Sequence, residues 1–207
     1  MKPSRPIVLY RHPLSGHCHR VELLLRMLDL PFETRDIDLI AREQRGSRFL
    51  ALNPFGQVPV IDDDGHVLAD SNAILVYLAL RYASQSWLPR DPLGAARVQR
   101  WLSVAAGPLA YGAARARAIR LFRRPLDTTE PAAAAHALLA TMDDMLVGDT
   151  YVAGESPTIA DLAMYSYTAH APEGGVVLDA YPRVRAWLAR VRALPGFVAM
   201  PATPAAS

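Results

Sequence analysis

The chain has 207 residues, 51% of them hydrophobic and 20% charged, which is enough apolar surface to build a core and excludes a mainly disordered chain. A net charge of only +2 gives nucleic acid no electrostatic claim. Uncharged stretches such as 101–114, interrupted by Gly107 and Pro108, fall short of the roughly 20 apolar residues that span a bilayer. The single cysteine, Cys18, forbids an internal disulfide and a multi-cysteine zinc site. The N-terminal residues lack the apolar run of a secretory signal. The expected compartment is therefore reducing and cytoplasmic.

The first 83 residues alternate in character. Ile7, Val8, Leu9 and Tyr10 form a short buried-strand pattern. Val21, Leu24, Leu25 and Leu28 follow with the spacing of an amphipathic helix, ended by Pro31. Residues 32–39 read as a second strand and 41–52 as a short polar helix. Val58, Pro59, Val60 and Ile61, then Val67 and Leu68, flank an Asp-Asp-Asp-Gly-His turn, the signature of a hairpin. Asp70 and Ser71 then cap a helix through Ala73, Ile74, Tyr77, Leu78 and Arg81. The order β-α-β-α-β-β-α predicts a parallel pair joined by a helical crossover, extended by an antiparallel hairpin.

Residues 84–92 carry two prolines and are the expected linker. Beyond it the pattern is helical throughout. A helix through Ala95, Val98, Leu102 and Ala105 should break at Pro108. Residues 131–146 are alanine-rich. Thr158 and Asp161 have capping-box spacing ahead of Leu162, Tyr165 and Ala169. Val184, Trp187, Leu188 and Val191 form the last helix, and the tail after Met200 is expected to be disordered. Every basic residue except Lys2 is arginine. Five of them, Arg115, Arg117, Arg120, Arg123 and Arg124, fall within ten residues. They read either as a solvated helix face or as an anion-binding wall.

Three places carry candidate chemistry. After the first strand, Ser15 stands at a helix start, where unpaired N–H groups and the helix dipole stabilise an anion. It is an N-cap, a hydroxyl aimed at an anion, or both. Ser15 and Cys18 have the spacing of a redox Cys-x-x-Cys with the leading thiol replaced, which excludes dithiol chemistry. Cys18 itself reads as buried packing or as a lone thiol. Second, Pro59 stands where a strand begins, an allowed place for a residue without an N–H. It sits either in an ordinary turn or after a cis Val58–Pro59 bond. The cis form would leave the Val58 backbone free to pair with an extended peptide. Third, two capping residues in a row, Asp70 and Ser71, leave one free for a ligand, with a carboxylate at Ser71 and the helix N–H groups and an ammonium at Asp70. Together these describe a site for a small zwitterionic peptide that carries a thiol.

The segments LYRHPLSGHCHRVELLL, LALNPFGQVPVI, LADSNAILVYLA and SPTIADLAMY stand in the order and spacing of the glutathione transferases. The chain resembles that family over nearly its whole length, and within it the serine-type, theta-like and zeta-like classes. The resemblance implies an α/β thioredoxin-like N-terminal domain (1–83), the linker 84–92 and an all-α C-terminal domain (93–207). It implies that Ser15, five residues after Tyr10, is the catalytic hydroxyl. It makes Gln57, Val58, Asp70 and Ser71 glutathione-binding residues, and Pro59 the family's structural cis-proline. His17 is either a helper at the site or an exposed loop residue. Two departures narrow the class: Tyr10 lies inside the strand, so the tyrosine-type loop is absent, and position 15 is not cysteine.

The implied reaction is attack of the glutathione thiolate on an electrophilic carbon, with glutathione as co-substrate and neither a metal nor a bound cofactor. Lowering a thiol from about 8.5 to about 6.5 requires about 2.7 kcal/mol of preference for the anion, which a Ser15 hydrogen bond and a helix N-terminus can supply. The electrophile is expected between the domains, against Leu109, Tyr111, Ala114 and Arg115. A homodimer is implied. A glutathione-dependent isomerase, dehalogenase or ether-cleaving enzyme would use the same site. A non-catalytic glutathione-binding protein and a thiol oxidoreductase acting through Cys18 are the other readings.

Overall fold

The computed structural model describes residues 2–83, 86–148 and 150–203. Its N-terminal half is built on a four-stranded sheet of order β2-β1-β3-β4, with β1 (Ile7–Arg11), β2 (Phe32–Asp36), β3 (Val60–Asp63) and β4 (His66–Ala69). β1 runs parallel to β2, with Ile7 opposite Phe32, and antiparallel to β3. The parallel pair needs a crossover, and α1 (Gly16–Met27) supplies it. The β3–β4 hairpin closes on Asp64 and Gly65, both at positive φ, between the paired Asp63 and His66. That is the backbone an Asp-Gly hairpin turn requires.

Two expectations change here. The polar helix expected over 41–52 is instead a single 3-10 turn, Glu43–Arg45, and one helical turn, α2 (Ser47–Leu50). Arg42 at φ 59 and the extended Gly46 interrupt the helix. The second strand stops at Asp36, because Asp38 turns the chain by accepting the N–H groups of Ile40 and Ala41. α3 (Ser71–Tyr82) completes the half. Ser84 and Gln85 of the expected linker lie outside the described residues.

The remainder is helical: α4 (Pro92–Ala106), α5 (Arg115–Leu121), α6 (Thr129–Met145), α7 (Ile159–Ala169) and α8 (Pro182–Arg192). α4 ends at Gly107, just before Pro108, and the chain re-enters α5 through a π-helical turn, Ala110–Ala114. α7 is buried along Ile159–Thr168 and packs against both α1 and α4. It therefore ties the two halves into one core. Trp187, fully buried, donates its indole N–H to Asp161.

The described residues just after Met200 depart from expectation. Thr203 is not a loose tail residue: its hydroxyl bonds Glu173 and accepts from Arg117 at 3.1 Å. Arg117 is buried, pairs with Glu173 at 2.7 Å and donates to the Leu14 carbonyl at 2.8 Å. The helical domain thus holds the backbone immediately before Ser15. Residues 204–207 lie outside the described residues.

Candidate active site

A cleft of about 690 Å³ opens between the two halves. Ser15, His17, Gln57, Val58, Pro59, Asp70 and Ser71 reach it from the N-terminal side, so the three separate sequence signals meet at one place. Ser15 is the N-cap of α1, its Oγ accepting the Cys18 N–H at 3.4 Å. A long bond of this kind leaves the hydroxyl proton and a lone pair available. The Val58–Pro59 bond is cis, and Val58 precedes the ladder, whose first pairs join Val60 to Tyr10 and to Ala69.

Asp70 takes the capping role that the sequence left between two residues. Its Oδ1 accepts the N–H groups of Asn72 and Ala73, each at 2.9 Å, and its φ of 69 is rare for a residue with a Cβ. Asp70 is itself exposed and lines the cleft. Ser71 is buried, with its Oγ 3.4 Å from His17 Nδ1. Beneath it lies Arg20, which donates to Asn72 Oδ1 at 2.9 Å and to Ser71 at 3.3 Å. Arg20 Nε and Nη2 are buried without a partner. Burial lowers this guanidinium to about 10, so it stays charged at neutral pH. A buried cation under a helix N-terminus makes this end of the cleft attractive to a carboxylate.

His17 is half-buried on the first turn of α1, its ring edge-on to Tyr167 at 4.9 Å. Burial first, and the Arg20 charge second, push it down to about 3. It is a neutral wall at physiological pH, not an exposed loop residue. Cys18 is buried, and its Sγ accepts the His12 N–H at 3.4 Å. Burial pushes this thiol up to about 11, against the opposing Ser15 and His12 bonds. It is not a thiolate at neutral pH, which weakens the oxidoreductase reading. Alkylation of Cys18 in the native protein is accordingly expected to be far slower than that of free glutathione at neutral pH, rising only toward pH 11. Mass spectrometry of iodoacetamide-treated native and denatured protein checks this; equal rates in the two states would contradict it.

On the helical side, Tyr111, Ala114 and Arg115 line the cleft as expected. Leu109 does not: it is 1% exposed and belongs to the core, because the break at Gly107–Pro108 turns it inward. Arg124, of the arginine cluster, lines the cleft too, and the structure adds Tyr167 and Gln44. Tyr167 comes from α7, and its ring covers the start of α1 so closely that a Cβ on Gly16 would stand 2.8 Å from it. Only glycine fits there. Burial raises the Tyr167 phenol, opposed by the nearby Arg20 and Arg117 charges and by the Ser15 hydroxyl. Gln44 Oε1 is a buried acceptor with no partner. Neither residue carries a sequence signal, since α7 is buried on all sides and Gln44 lies in an irregular polar loop.

Residues 14–81 match the model of the glutathione S-transferase N-terminal domain, and residues 127–195 that of the C-terminal domain. Glutathione S-transferase 3 of Zea mays is 35% identical over 93% of this chain and 91% of its own length. Maleylacetoacetate isomerase of Pseudomonas aeruginosa is 31% identical over 96% and 99%. A crystal structure of a glutathione S-transferase from Pseudomonas fluorescens superposes with a TM-score of 0.89 at 32% identity, covering 95% of this chain and 99% of that one. The thioredoxin-like sheet followed by a helical domain, with a polar cleft between them, is the architecture of these enzymes. The chain belongs to the glutathione S-transferase family.

Proposed function

We propose that the protein is a glutathione transferase in which Ser15 stabilises the glutathione thiolate for attack on an electrophilic carbon. The observation that carries this reading is the Ser15 hydroxyl at the α1 N-terminus, opening into the same cleft as Val58, Asp70 and Ser71. The peptide backbone of glutathione pairs with Val58 and Gln57. Its amino-acid end sits on Ser71 and the α3 N-terminus, with the ammonium on Asp70. The sulfur then lies at Ser15. The thiol proton leaves to solvent and a sulfur–carbon bond forms; the displaced electron pair departs with a halide, or stays on the epoxide oxygen or the carbon beside the carbonyl, which then takes a proton from solvent. Ser15 donates to sulfur and forms no covalent bond itself. A panel of aryl halides, epoxides and unsaturated carbonyls with glutathione tests the reading; no turnover of any of them, with glutathione bound, would favour the isomerase reading that one relative's name suggests.

The residue boundaries proposed for the working unit are 1–83, 84–92 and 93–207, and the assembly is a cytoplasmic homodimer. The exposed Phe55 offers apolar surface for such a contact. No helix among the described residues is long and apolar enough to cross a membrane.

Asp70→Asn keeps an oxygen for the α3 cap but removes the charge. It is expected to raise KM for glutathione about 10-fold with little change in kcat, because its partner is remote from sulfur. Steady-state kinetics decide it: a large fall in kcat at unchanged KM would contradict the assignment.

A further inference from the structure

The electrophile side of the cleft is cationic. Arg115 and Arg124 both line it, and among the described residues neither is ion-paired. Being unpaired is common among the exposed arginines of this chain; what sets these two apart is that they line the cleft. Arg5, Arg11, Arg26, Arg81 and Arg183 pair with carboxylates. Arg117, two positions from Arg115, turns inward to Glu173. Among the described residues, the one carboxylate lining the cleft is Asp70, on the opposite, N-terminal side, with one oxygen already committed to the α3 cap. Arg124 is held over the Phe122 ring at 5.5 Å, which limits its freedom without neutralising it.

The body of a ligand has room beside these charges. Ala110, Ala114 and Ala118 recur every four residues along one face and line the cleft with short side chains. Positions four apart share one face of a helix, so the run sets three methyl groups side by side. Tyr111 and Tyr167 add aromatic faces. A small apolar bed with two unpaired guanidiniums at its edge suits a molecule with an apolar body and an acidic end.

Resting on the transferase reading, we propose that this cleft selects electrophiles bearing an acidic substituent, a carboxylate or sulfonate, which Arg115 and Arg124 bind. The test uses two preformed conjugates, the carboxynitrophenyl thioether of glutathione and its carboxamide counterpart. They share the glutathione part, so any difference between them reports the electrophile side alone. Calorimetry at low salt should show the acid binding about 10-fold more tightly than the amide. The ratio should fall to about one in the R115Q/R124Q double variant and shrink with added salt. Equal affinities in the wild type, or a preference that survives the double substitution, would overturn the proposal. A parallel assay of chloronitrobenzoate and chloronitrobenzamide with glutathione, each corrected for its uncatalysed rate, should show the same preference in kcat/KM. If neither chloride turns over while both conjugates bind, the binding ratio alone decides the charge selectivity, and the wider panel of electrophiles decides the transferase reading.

Discussion

Ser15→Ala is expected to lower the conjugation rate by about 10- to 1000-fold, its upper part matching the loss of about 100- to 1000-fold when one preorganised donor to a developing anion is removed. The hydroxyl sits at the N-terminus of a twelve-residue helix and faces the cleft. There the helix dipole and the hydroxyl act on the same sulfur. Folding should be little affected. The capping bond to the Cys18 N–H is long, at 3.4 Å, so its loss falls at the low end of the roughly 0.5–2 kcal/mol that caps contribute. Arg117 still anchors the Leu14 carbonyl next door. Turnover, together with titration of the bound thiolate by its ultraviolet absorbance, separates the two roles. The thiol of bound glutathione should titrate at higher pH in the variant, and Ser15→Thr should restore part of the shift. Unchanged kinetics with an unchanged thiol titration would refute the assignment.

Asp161→Ala should have the largest effect on stability. Asp161 is fully buried and accepts from the Val152 N–H at 3.0 Å, the Thr158 N–H at 2.9 Å and the Trp187 indole at 2.8 Å; the Thr158 hydroxyl lies at 3.3 Å. One carboxylate thus closes the capping box of α7, fixes the preceding loop and anchors α8. Truncation leaves these donors without partners in a dry site, each costing about 1–3 kcal/mol if unrelieved. Relaxation makes the sum less than additive, and a loss of about 3–5 kcal/mol is expected, against a typical total of about 5–15 kcal/mol. Urea denaturation measures it, and Asp161→Asn should fall between the two. A loss below about 1 kcal/mol in the alanine variant would show that the network contributes little. Because α7 also carries Tyr167 over Gly16, the destabilised protein should lose activity at a lower temperature than the wild type.

What was legible in the sequence shares one physical character: it acts within a few residues. The Asp64-Gly65 turn, the break at Pro108, the Thr158–Asp161 box and the Ser15 cap are each dictated by local backbone geometry or by a hydrogen bond spanning three or four positions. The β-α-β order follows from apolar periodicity, and with it the meeting of Ser15, Val58 and Ser71, since all three stand at the ends of elements flanking one sheet. The short helix expected at 41–52 failed for a local reason as well, an extended Gly46 that polar composition did not announce.

The remaining features depend on contacts between segments far apart in the chain. Nothing local in the sequence marks Arg20, which packing against α7 buries as a cation. Leu109 sits among residues that line the cleft, but the break at Gly107 turns it into the core. The arginine cluster divides: Arg117 is buried on Glu173 and the Ser15 loop, while Arg115 and Arg124 stay in the cleft. Thr203 is held only because Arg117 and Glu173 are there to meet it. Composition and periodicity specify which residues seek burial or a helix end. Which polar side chain becomes a partner, a buried charge or a free one is decided by what the other domain brings within about 3 Å, the distance over which a hydrogen bond acts.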